Sequence, residues 1–229
     1  MTKLHTGMIA CAMLLAALHT PAMAGPGDEA RQHVEMAQTT LSDFLRDPNM
    51  TWVQAHMADA KGVLIVPKVV KVGFVFGGSG GRGVLVVRGE AGKWNGPAFY
   101  TVSTASVGFQ AGVSVSEVLM MVMTDKGINS LLSTATKLGA DASVAAGPVG
   151  AGANTTVPED IVAFSRSKGL YGGVALDGSV VKPADDWNSA YYGKQVLPPD
   201  ILIKGNVHNK QADKLVKALT DASSGKAKQ

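Results

Sequence analysis

Residues 61–93 constrain the fold of this chain more than any other stretch, because they combine glycine with β-branched and aromatic residues and with clustered positive charge. The segment reads KGVLIVPKVVKVGFVFGGSGGRGVLVVRGEAGK and holds six basic side chains against one acid, Glu90. β-Branched runs separated by a glycine cluster are typical of two antiparallel strands joined by a turn. The sequence therefore predicts an apolar hairpin whose glycine-rich tip carries Arg82, with Lys68 and Lys71 on the strand that leads into it.

The net charge changes sign along the chain. Residues 25–60 sum to −4, residues 61–93 to +5, residues 94–203 to −3 and residues 204–229 to +4. Two basic zones set into an acidic remainder orient a protein towards an anionic surface. A hairpin that is both apolar and basic favours contact with anionic phospholipid. The alternative is a solvated hairpin whose lysines only discourage pairing at its edge.

Residues 1–24 have the pattern of a secretory signal peptide, and we exclude them from the fold prediction. Lys3 precedes an apolar run at residues 8–18, and Ala22-Met23-Ala24 forms a small-residue cleavage signal. The apolar run is shorter than the roughly 20 residues that a membrane span needs. We therefore expect an exported protein, periplasmic or associated with the outer membrane. Because Cys11 is the only cysteine, we expect no disulfide in the mature chain.

The mature chain shows helical periodicity near both ends and strand-like runs between them. Helices are predicted over residues 29–46, 51–60, 124–133 and 210–222. Strands are predicted over residues 62–67, 69–77, 83–88, 98–104, 106–116, 118–123, 142–146, 161–165, 169–176 and 201–204. The predicted fold class is α+β, a single domain with a strongly bent antiparallel β-sheet or barrel flanked by three to four helices. Residues 25–205 would form this domain, and residues 206–229 a C-terminal helix and flexible tail.

Glycines recur four residues apart in three predicted strands. The pairs are Gly73 and Gly77, Gly108 and Gly112, and Gly169 and Gly173. Residues four apart share one face of a strand, and glycine there marks a sharp bend or the close approach of another backbone. Such a stripe also leaves a groove that an acyl chain or a partner segment could fill. Val72, Phe74 and Phe76 alternate with the first pair, which predicts that their face of the strand is buried.

Two motifs in the glycine-rich segment match catalytic signatures without their structural context. Residues 78–83 fit G-x-G-x-x-G and residues 77–81 fit G-x-S-x-G around Ser79, but both motifs require a following helix where a strand is predicted. The mature histidines are scattered along the chain. We expect no enzymatic activity, no metal site and no cofactor. The low aromatic content and the acidic middle of the chain argue against nucleic acid as a partner.

Seven short blocks of the sequence resemble the successive motifs of the SYLF domain family, in that family's order. They are residues 60–63 (AKGV), 71–74 (KVGF), 81–85 (GRGVL), 94–99 (WNGPAF), 139–150 (GADASVAAGPVG), 167–174 (SKGLYGGV) and 191–193 (YYG). The resemblance extends over nearly the whole mature chain, from about residue 30 to residue 205. It implies binding without catalysis, since eukaryotic SYLF domains bind phosphoinositides and other acidic phospholipids.

Some relatives implied by this resemblance also bind actin through a SYLF domain joined to a Src-homology-three domain, whereas bacterial members are mostly exported envelope proteins. We expect no actin role here, because the leader directs the chain away from any cytoskeleton. The family's membrane-binding N-terminal helix is basic in some eukaryotic members. The helix predicted at residues 29–46 is net acidic, so lipid contact is expected at the hairpin instead.

The resulting hypothesis is non-enzymatic binding of anionic phospholipid, with phosphoinositide-like or other acidic headgroups, by an exported envelope protein. The four cations are expected at the headgroups and the two aromatic residues near the acyl chains. These residues are Lys68, Lys71, Arg82, Arg88, Phe74 and Phe76. The alternative is an envelope protein–protein interaction or structural module whose glycine-lined groove receives a segment of a partner.

Overall fold

The structure is a computed structural model that describes residues 25–73, 76–89, 92–107, 112–150, 157–167, 170–174 and 176–225. Its helices are α1 Pro26–Arg46, α2 Thr51–His56, α3 Asp125–Leu131, α4 Asp185–Tyr192, α5 Pro198–Leu202 and α6 Asp213–Ser223. Its strands are β1 Gly62–Gly73, β2 Phe76–Arg88, β3 Trp94–Val107, β4 Gly112–Val122, β5 Thr136–Lys137, β6 Val144–Ala146, β7 Ile161–Ser167, β8 Leu170–Gly173 and β9 Val180–Pro183.

The strands form one strongly curled sheet that closes about half of a barrel. Their order is β5-β9-β3-β2-β1-β4-β7-β6, and β8 also pairs with β7. The pairs are antiparallel except for β6 and β7, which run parallel. The predicted α+β class with a strongly bent sheet is confirmed. The described part of the chain has six α-helices, of which α2 and α5 are only six and five residues long.

One half of the sheet is buried on both faces, which explains the uninterrupted apolar run at the start of β1. Val63 and Ile65 pack in the core beneath α1, α2, α4 and α6, whereas Leu64 and Val66 pack in a second core with α3 and α5. All four side chains are fully buried. A strand with two buried faces needs apolar residues at successive positions rather than at alternate ones.

A β-bulge at residues 67–68 of β1 divides this buried half from the rest of the sheet. Ile65 lies opposite Val84 of β2 and Lys68 lies opposite Arg82, so three steps along β1 match two along β2. The extra residue moves every later side chain of β1 to the other face of the sheet. Even-numbered residues from Lys68 onwards therefore share the face of α1.

Beyond the bulge, four strands extend past the helices. We call this four-stranded extension the distal sheet; it comprises residues 69–73, 76–81, 102–107 and 112–116. Its neighbouring segments remain in register, with Val72 of β1 between Gly78 of β2 and Val113 of β4. The exposed face of the distal sheet is therefore built from strands that begin in the buried core.

Helix α1 crosses the sheet where the distal sheet begins. Its contacts follow one another across the strands: the ring Nε2 of His33 lies 2.7 Å from the carbonyl oxygen of Arg82 in β2, and Thr40 donates a 3.0 Å hydrogen bond to Glu117 in β4. Arg166 of β7 forms ion pairs with Asp43 of α1, at 2.7 Å, and with Glu117. These contacts hold α1 against the sheet, next to the start of the distal sheet.

The prediction of a glycine-rich hairpin tip at residues 78–82, between the predicted strands 69–77 and 83–88, is wrong. This segment continues β2 and is paired on both sides, for example Gly80 with Val70 of β1 and Ser103 of β3. Pairing with two neighbours outweighs the poor strand propensity of glycine. The two strands stay paired as far as Gly73 and Gly77, and residues 74 and 75 lie outside the described residues.

The glycine pairs are also arranged differently from the prediction. Gly73 and Gly77 lie opposite each other on β1 and β2 rather than on one face of one strand. Gly108 and Gly169 lie outside the described residues. Gly83 supports the geometric explanation, since a Cβ there would lie 2.8 Å from the carbonyl oxygen of Ile65.

Some short elements were misread or missed in the sequence. The strand predicted at residues 201–204 is wrong, because Pro198–Leu202 forms α5. Proline is well suited to the first turn of a helix, where its missing N–H costs no hydrogen bond. Helix α4 and strand β9 were not predicted.

Candidate functional site

Lys68 and Arg82 meet beside α1, at the start of the distal sheet. They are paired in register on β1 and β2 and share the face that α1 crosses. The guanidinium of Arg82 lies 4.1 Å from the ring centroid of Trp187 in α4, a cation–π contact that holds it over the ring. With Glu29 and other residues of α1, they line an open groove of about 330 Å³. This groove offers two cations to an anionic group.

His33, a residue of α1, links the helix to β2 at this groove. The side chain is buried, and its ring stands edge-on to Trp187 with centroids 5.5 Å apart. Burial lowers the pKa of His33 below its usual value of 6.5, and the nearby charge of Arg82 lowers it further, against the effect of the backbone hydrogen bond. The neutral ring can donate its Nε2–H to the carbonyl oxygen of Arg82, which holds β2 against the helix.

Valine side chains are exposed on the distal sheet, on the face that α1 borders. Val72 is 54% exposed, Val113 71% and Val115 48%. Val72 lies opposite Val113, and the partly buried Val70 lies opposite Val115. The four residues form an apolar surface on two adjacent strands, which we call the valine face. Contiguous exposed apolar surface of this kind is typical of a contact with a membrane or another protein.

Lys71 is the only charged residue of the distal sheet. It is exposed and lies between Val70 and Val72, so its side chain is on the opposite face from the valine face. Lys68 and Arg82 follow directly on the side nearer the core. The distal end of the molecule is therefore apolar and cationic, and three acids, Glu29, Glu35 and Glu117, line the grooves beside α1.

The structure does not bring all the predicted site residues together. Lys68, Lys71 and Arg82 lie in or next to the distal sheet, but Arg88 is six residues further along β2, about 20 Å from Arg82. Its guanidinium donates to the carbonyl oxygen of Ala58 and lies 5.5 Å from the Trp94 ring. It lines a separate cavity of about 550 Å³ at the opposite end of the strand.

The two predicted aromatic residues cannot be placed at this surface. Phe74 lies outside the described residues, and only the backbone of Phe76 is described, at the start of β2. The expectation that the face of Val72 is buried is wrong, because Val72 lies on the part of β1 that extends beyond α1, where its side chain is 54% exposed.

The sequence prediction missed the valine face and Trp187. Alternation of apolar and polar residues in Val70-Lys71-Val72 and in Val113-Ser114-Val115-Ser116 signals strands with one apolar face. That pattern does not indicate that this face is exposed, because exposure depends on how far the strands extend beyond the part of the sheet that α1 covers. No sequence signal connects Trp187 with Arg82, which lies over one hundred positions earlier in the chain.

Three further features of the described residues bear on catalysis and membrane insertion. Ser79 lies within β2, opposite Lys71 and Thr104, so the G-x-S-x-G match does not form a strand-to-helix elbow. Within the described ranges, no three His, Cys, Asp or Glu side chains are grouped to hold a metal ion. None of the described helices has both the length and the apolar character that crossing a membrane requires.

Comparison with known proteins assigns this sequence to a family. The sequence model of Ysc84, described as Las17-binding protein actin regulator, matches residues 103–222, about half of the chain. The chain belongs to the Ysc84 family. The predicted resemblance to the SYLF domain is thereby confirmed. In the Ysc84-family match, the covered residues run from β3 to α6 and include Val113, Val115 and Trp187, whereas Lys68 and Arg82 precede them.

Individual relatives of this Ysc84-family chain are found in fungi and mammals. Protein YSC84 of Saccharomyces cerevisiae is 33% identical over 150 residues, which are 62% of this chain and 32% of the relative. SH3 domain-containing YSC84-like protein 1 of Homo sapiens is 30% identical over 173 residues, 73% of this chain and 50% of the relative. The chain thus spans from about a third to half of the length of these curated relatives. No solved structure matches it.

Proposed function

We propose that this Ysc84-family chain binds anionic phospholipid membranes through the distal sheet and catalyses no reaction. The observation that carries the proposal is the valine face, exposed on the distal sheet, whose described residues include a single charge, Lys71. Apolar side chains at a cationic end fit the interface of an anionic bilayer, where acyl chains and phosphate groups lie close together. A solvated surface would have no need of exposed valines beside one another.

The spacing along β1 suits this orientation. Val72 and Lys68 are four residues apart, about 13 Å in an extended strand. With the strands tilted towards the bilayer, Val72 and Val113 enter the interface while Lys68 and Arg82 remain at the level of the headgroups. Each cation near an anionic surface contributes about 1 kcal/mol, and each fully buried valine about 1.5 kcal/mol. Binding is therefore expected to be measurable and to weaken with salt.

Vesicle co-sedimentation tests this proposal. The chain should sediment with vesicles that contain phosphatidylserine and remain in the supernatant with phosphatidylcholine alone. Charge reversal of Lys68→Glu with Lys71→Glu should lower binding more than tenfold. The matched control is Lys210→Glu with Lys214→Glu, two exposed lysines near α6. Equal sedimentation with neutral vesicles, or equal losses in both double variants, would refute the proposed surface.

The structure does not place the side chains of three predicted lipid-binding residues, Arg88, Phe74 and Phe76, at the proposed surface. Arg88 faces a cavity at the far end of β2 and is not part of the proposed surface. Its predicted contact with headgroups stays a prediction, which Arg88→Gln would test in the same vesicle assay. Phe74 and Phe76 are proposed to contact acyl chains because they flank the end of the β1–β2 pair in the sequence.

A protein partner is the second candidate, favoured by the names of the relatives, among them LAS seventeen-binding protein 3. Gly78 and Gly80 lie beside the valine face and leave open space, since the nearest atom to a Cβ at Gly78 would be 3.4 Å away. This strip could receive an extended segment of an envelope protein. Gly78→Val should block such a segment and preserve vesicle binding, so a pull-down with a defined partner separates the two functions.

We further propose that the protein acts outside the cytoplasm, periplasmic or at the outer membrane, because residues 1–24 have the pattern of a signal peptide. Cell fractionation followed by mass spectrometry of the N-terminus tests this directly. The expected N-terminal residue of the exported form is Gly25. A full-length chain recovered from the cytoplasm would contradict the proposal.

A further inference from the structure

The groove between α1 and the start of the distal sheet holds two cations that are not paired with a carboxylate. Lys68 and Arg82 lie directly opposite each other on β1 and β2. Among the described residues neither side chain forms an ion pair, and Arg82 instead contacts the ring of Trp187. Like charges directly opposite each other on neighbouring strands destabilise a sheet. An anionic group between the two side chains would remove this repulsion, and phosphate suits both of them.

An acid lines the same groove without pairing with either cation. Glu29 is exposed in the first turn of α1 and forms no ion pair with a described residue, whereas its neighbour Asp28 is paired with Arg31. Gln32 lies three positions after Glu29, on the same side of the helix, and lines the groove as well. The helix side of the groove therefore offers a carboxylate and an amide oxygen, and the strand side offers the cations.

We propose that this groove selects phosphate esters that carry a primary ammonium group close to the phosphate, as ethanolamine and serine headgroups do. The phosphate group lies between Lys68 and Arg82, and the ammonium group donates hydrogen bonds to Glu29 and Gln32. As an account of lipid binding, the inference rests on the proposed function, because both use the same two cations. The groove has a volume of about 330 Å³, which is in the range of small-molecule sites.

Glu29 makes the groove selective for the headgroup as well as for its charge. The carboxylate repels a ligand with further negative charge and attracts one with a positive group beside the phosphate. A glycerol headgroup has no positive charge that would offset this repulsion. The ammonium group of choline has no N–H and cannot donate a hydrogen bond to Glu29. Ethanolamine and serine headgroups meet both requirements.

Vesicle co-sedimentation with two lipids of equal net charge tests this selectivity. At equal mole fractions in phosphatidylcholine, phosphatidylserine should bind the chain about tenfold more tightly than phosphatidylglycerol, the effect of one charge-assisted hydrogen bond. Glu29→Gln should remove this preference. Glu35→Gln should keep it and is the matched control, because Glu35 is exposed on the same helix and lines the neighbouring groove, which lacks both cations. Equal binding of both lipids by the unaltered chain would overturn lipid selection and leave the membrane function intact.

Soluble headgroups distinguish a lipid ligand from a free phosphate ester. Glycerophosphoethanolamine and glycerophosphoglycerol contain the two chemistries without acyl chains. Glycerophosphoethanolamine should shift the indole NMR signal of Trp187, assigned with Trp187→Phe, at about tenfold lower concentration. Glu29→Gln should abolish this difference, and Glu35→Gln should not.

The two assays together decide between the proposals. An amine preference in the NMR titration without binding to any vesicle would assign the groove to a soluble phosphate ester and refute only the membrane function. No amine preference in either assay, or an equal loss of preference in the Glu29→Gln and Glu35→Gln variants, would overturn the inference.

Discussion

His33 shows how one buried side chain links the stability of the fold to pH. Its ring is packed between α1, Arg82 of β2 and Trp187 of α4. Lys68 and Glu29 line the same groove. A proton on this ring would add a charge in a buried position close to the charge of Arg82. The folded chain therefore favours neutral His33, consistent with its lowered pKa.

The pH dependence of stability follows from this shift. The unfolded chain binds a proton at His33 near the usual pKa of 6.5, whereas the folded chain binds it only at lower pH. The contribution of His33 is therefore fully present above about pH 6.5 and is lost as the pH falls below it. Urea unfolding should show a lower midpoint at about pH 5 than at about pH 7.5. In His33→Gln this difference should be smaller; an unchanged difference would contradict the assignment.

Single valines of the valine face should matter for membrane binding and hardly for folding. Val72→Ser or Val113→Ser should change the free energy of unfolding by no more than about 0.5 kcal/mol, because both side chains are largely exposed. Each should lower vesicle binding about tenfold through the lost apolar transfer. Ile203→Ser is the matched control, since Ile203 is 52% exposed and lies at the end of α5. Comparable losses for all three variants would indicate a nonspecific effect.

At the scale of the element, glycine is required in β2 only where a neighbouring strand lies too close for a side chain. A Cβ at Gly83 would lie 2.8 Å from the carbonyl oxygen of Ile65 and 2.9 Å from a methyl group of Val66. At Gly78 the nearest atom would be an ordinary 3.4 Å away. The two positions are in one strand and differ in the closeness of the neighbouring strand.

Alanine at these two positions should separate a structural glycine from a tolerant one. Gly83→Ala should lower the free energy of unfolding by about 1–3 kcal/mol, because the new methyl group overpacks the contact with β1. Gly78→Ala should leave stability unchanged or raise it by up to about 1 kcal/mol, since alanine restricts the unfolded chain. Denaturant titration of both variants measures this. Equal destabilisation would show that glycine is needed along the whole of β2.

The same elements show what the sequence could predict. Long periodic segments such as α1 and the apolar strands were recognisable, because their residues are selected by burial in the two cores. The glycine-rich part of β2 was not, because its conformation is imposed by β1 and β3 rather than by its own propensity. The faces of Lys68, Lys71 and Val72 were also beyond prediction, since one extra residue at the bulge exchanges them.

At the scale of the whole molecule, the two ends of the sheet differ in chemistry. The distal end carries the valine face and Lys71, with Lys68 and Arg82 behind them. The opposite end has a polar cavity lined by the ion pair of Lys61 and Asp125 together with Arg88. The family resemblance predicted the fold class but not this polarity, because it arises from how far the strands extend beyond α1.

This polarity predicts the orientation of the molecule on a bilayer. In a chain carrying Cys11→Ser, an environment-sensitive fluorophore on Ser103→Cys should shift to shorter wavelength when vesicles containing phosphatidylserine are added. Ser103 is exposed in the distal sheet, whereas Asn129 is exposed beside the opposite cavity. A fluorophore on Asn129→Cys should therefore keep its emission, because that end remains in water. A shift at Asn129 with none at Ser103 would reverse the proposed orientation and assign the membrane contact to the end that contains Arg88.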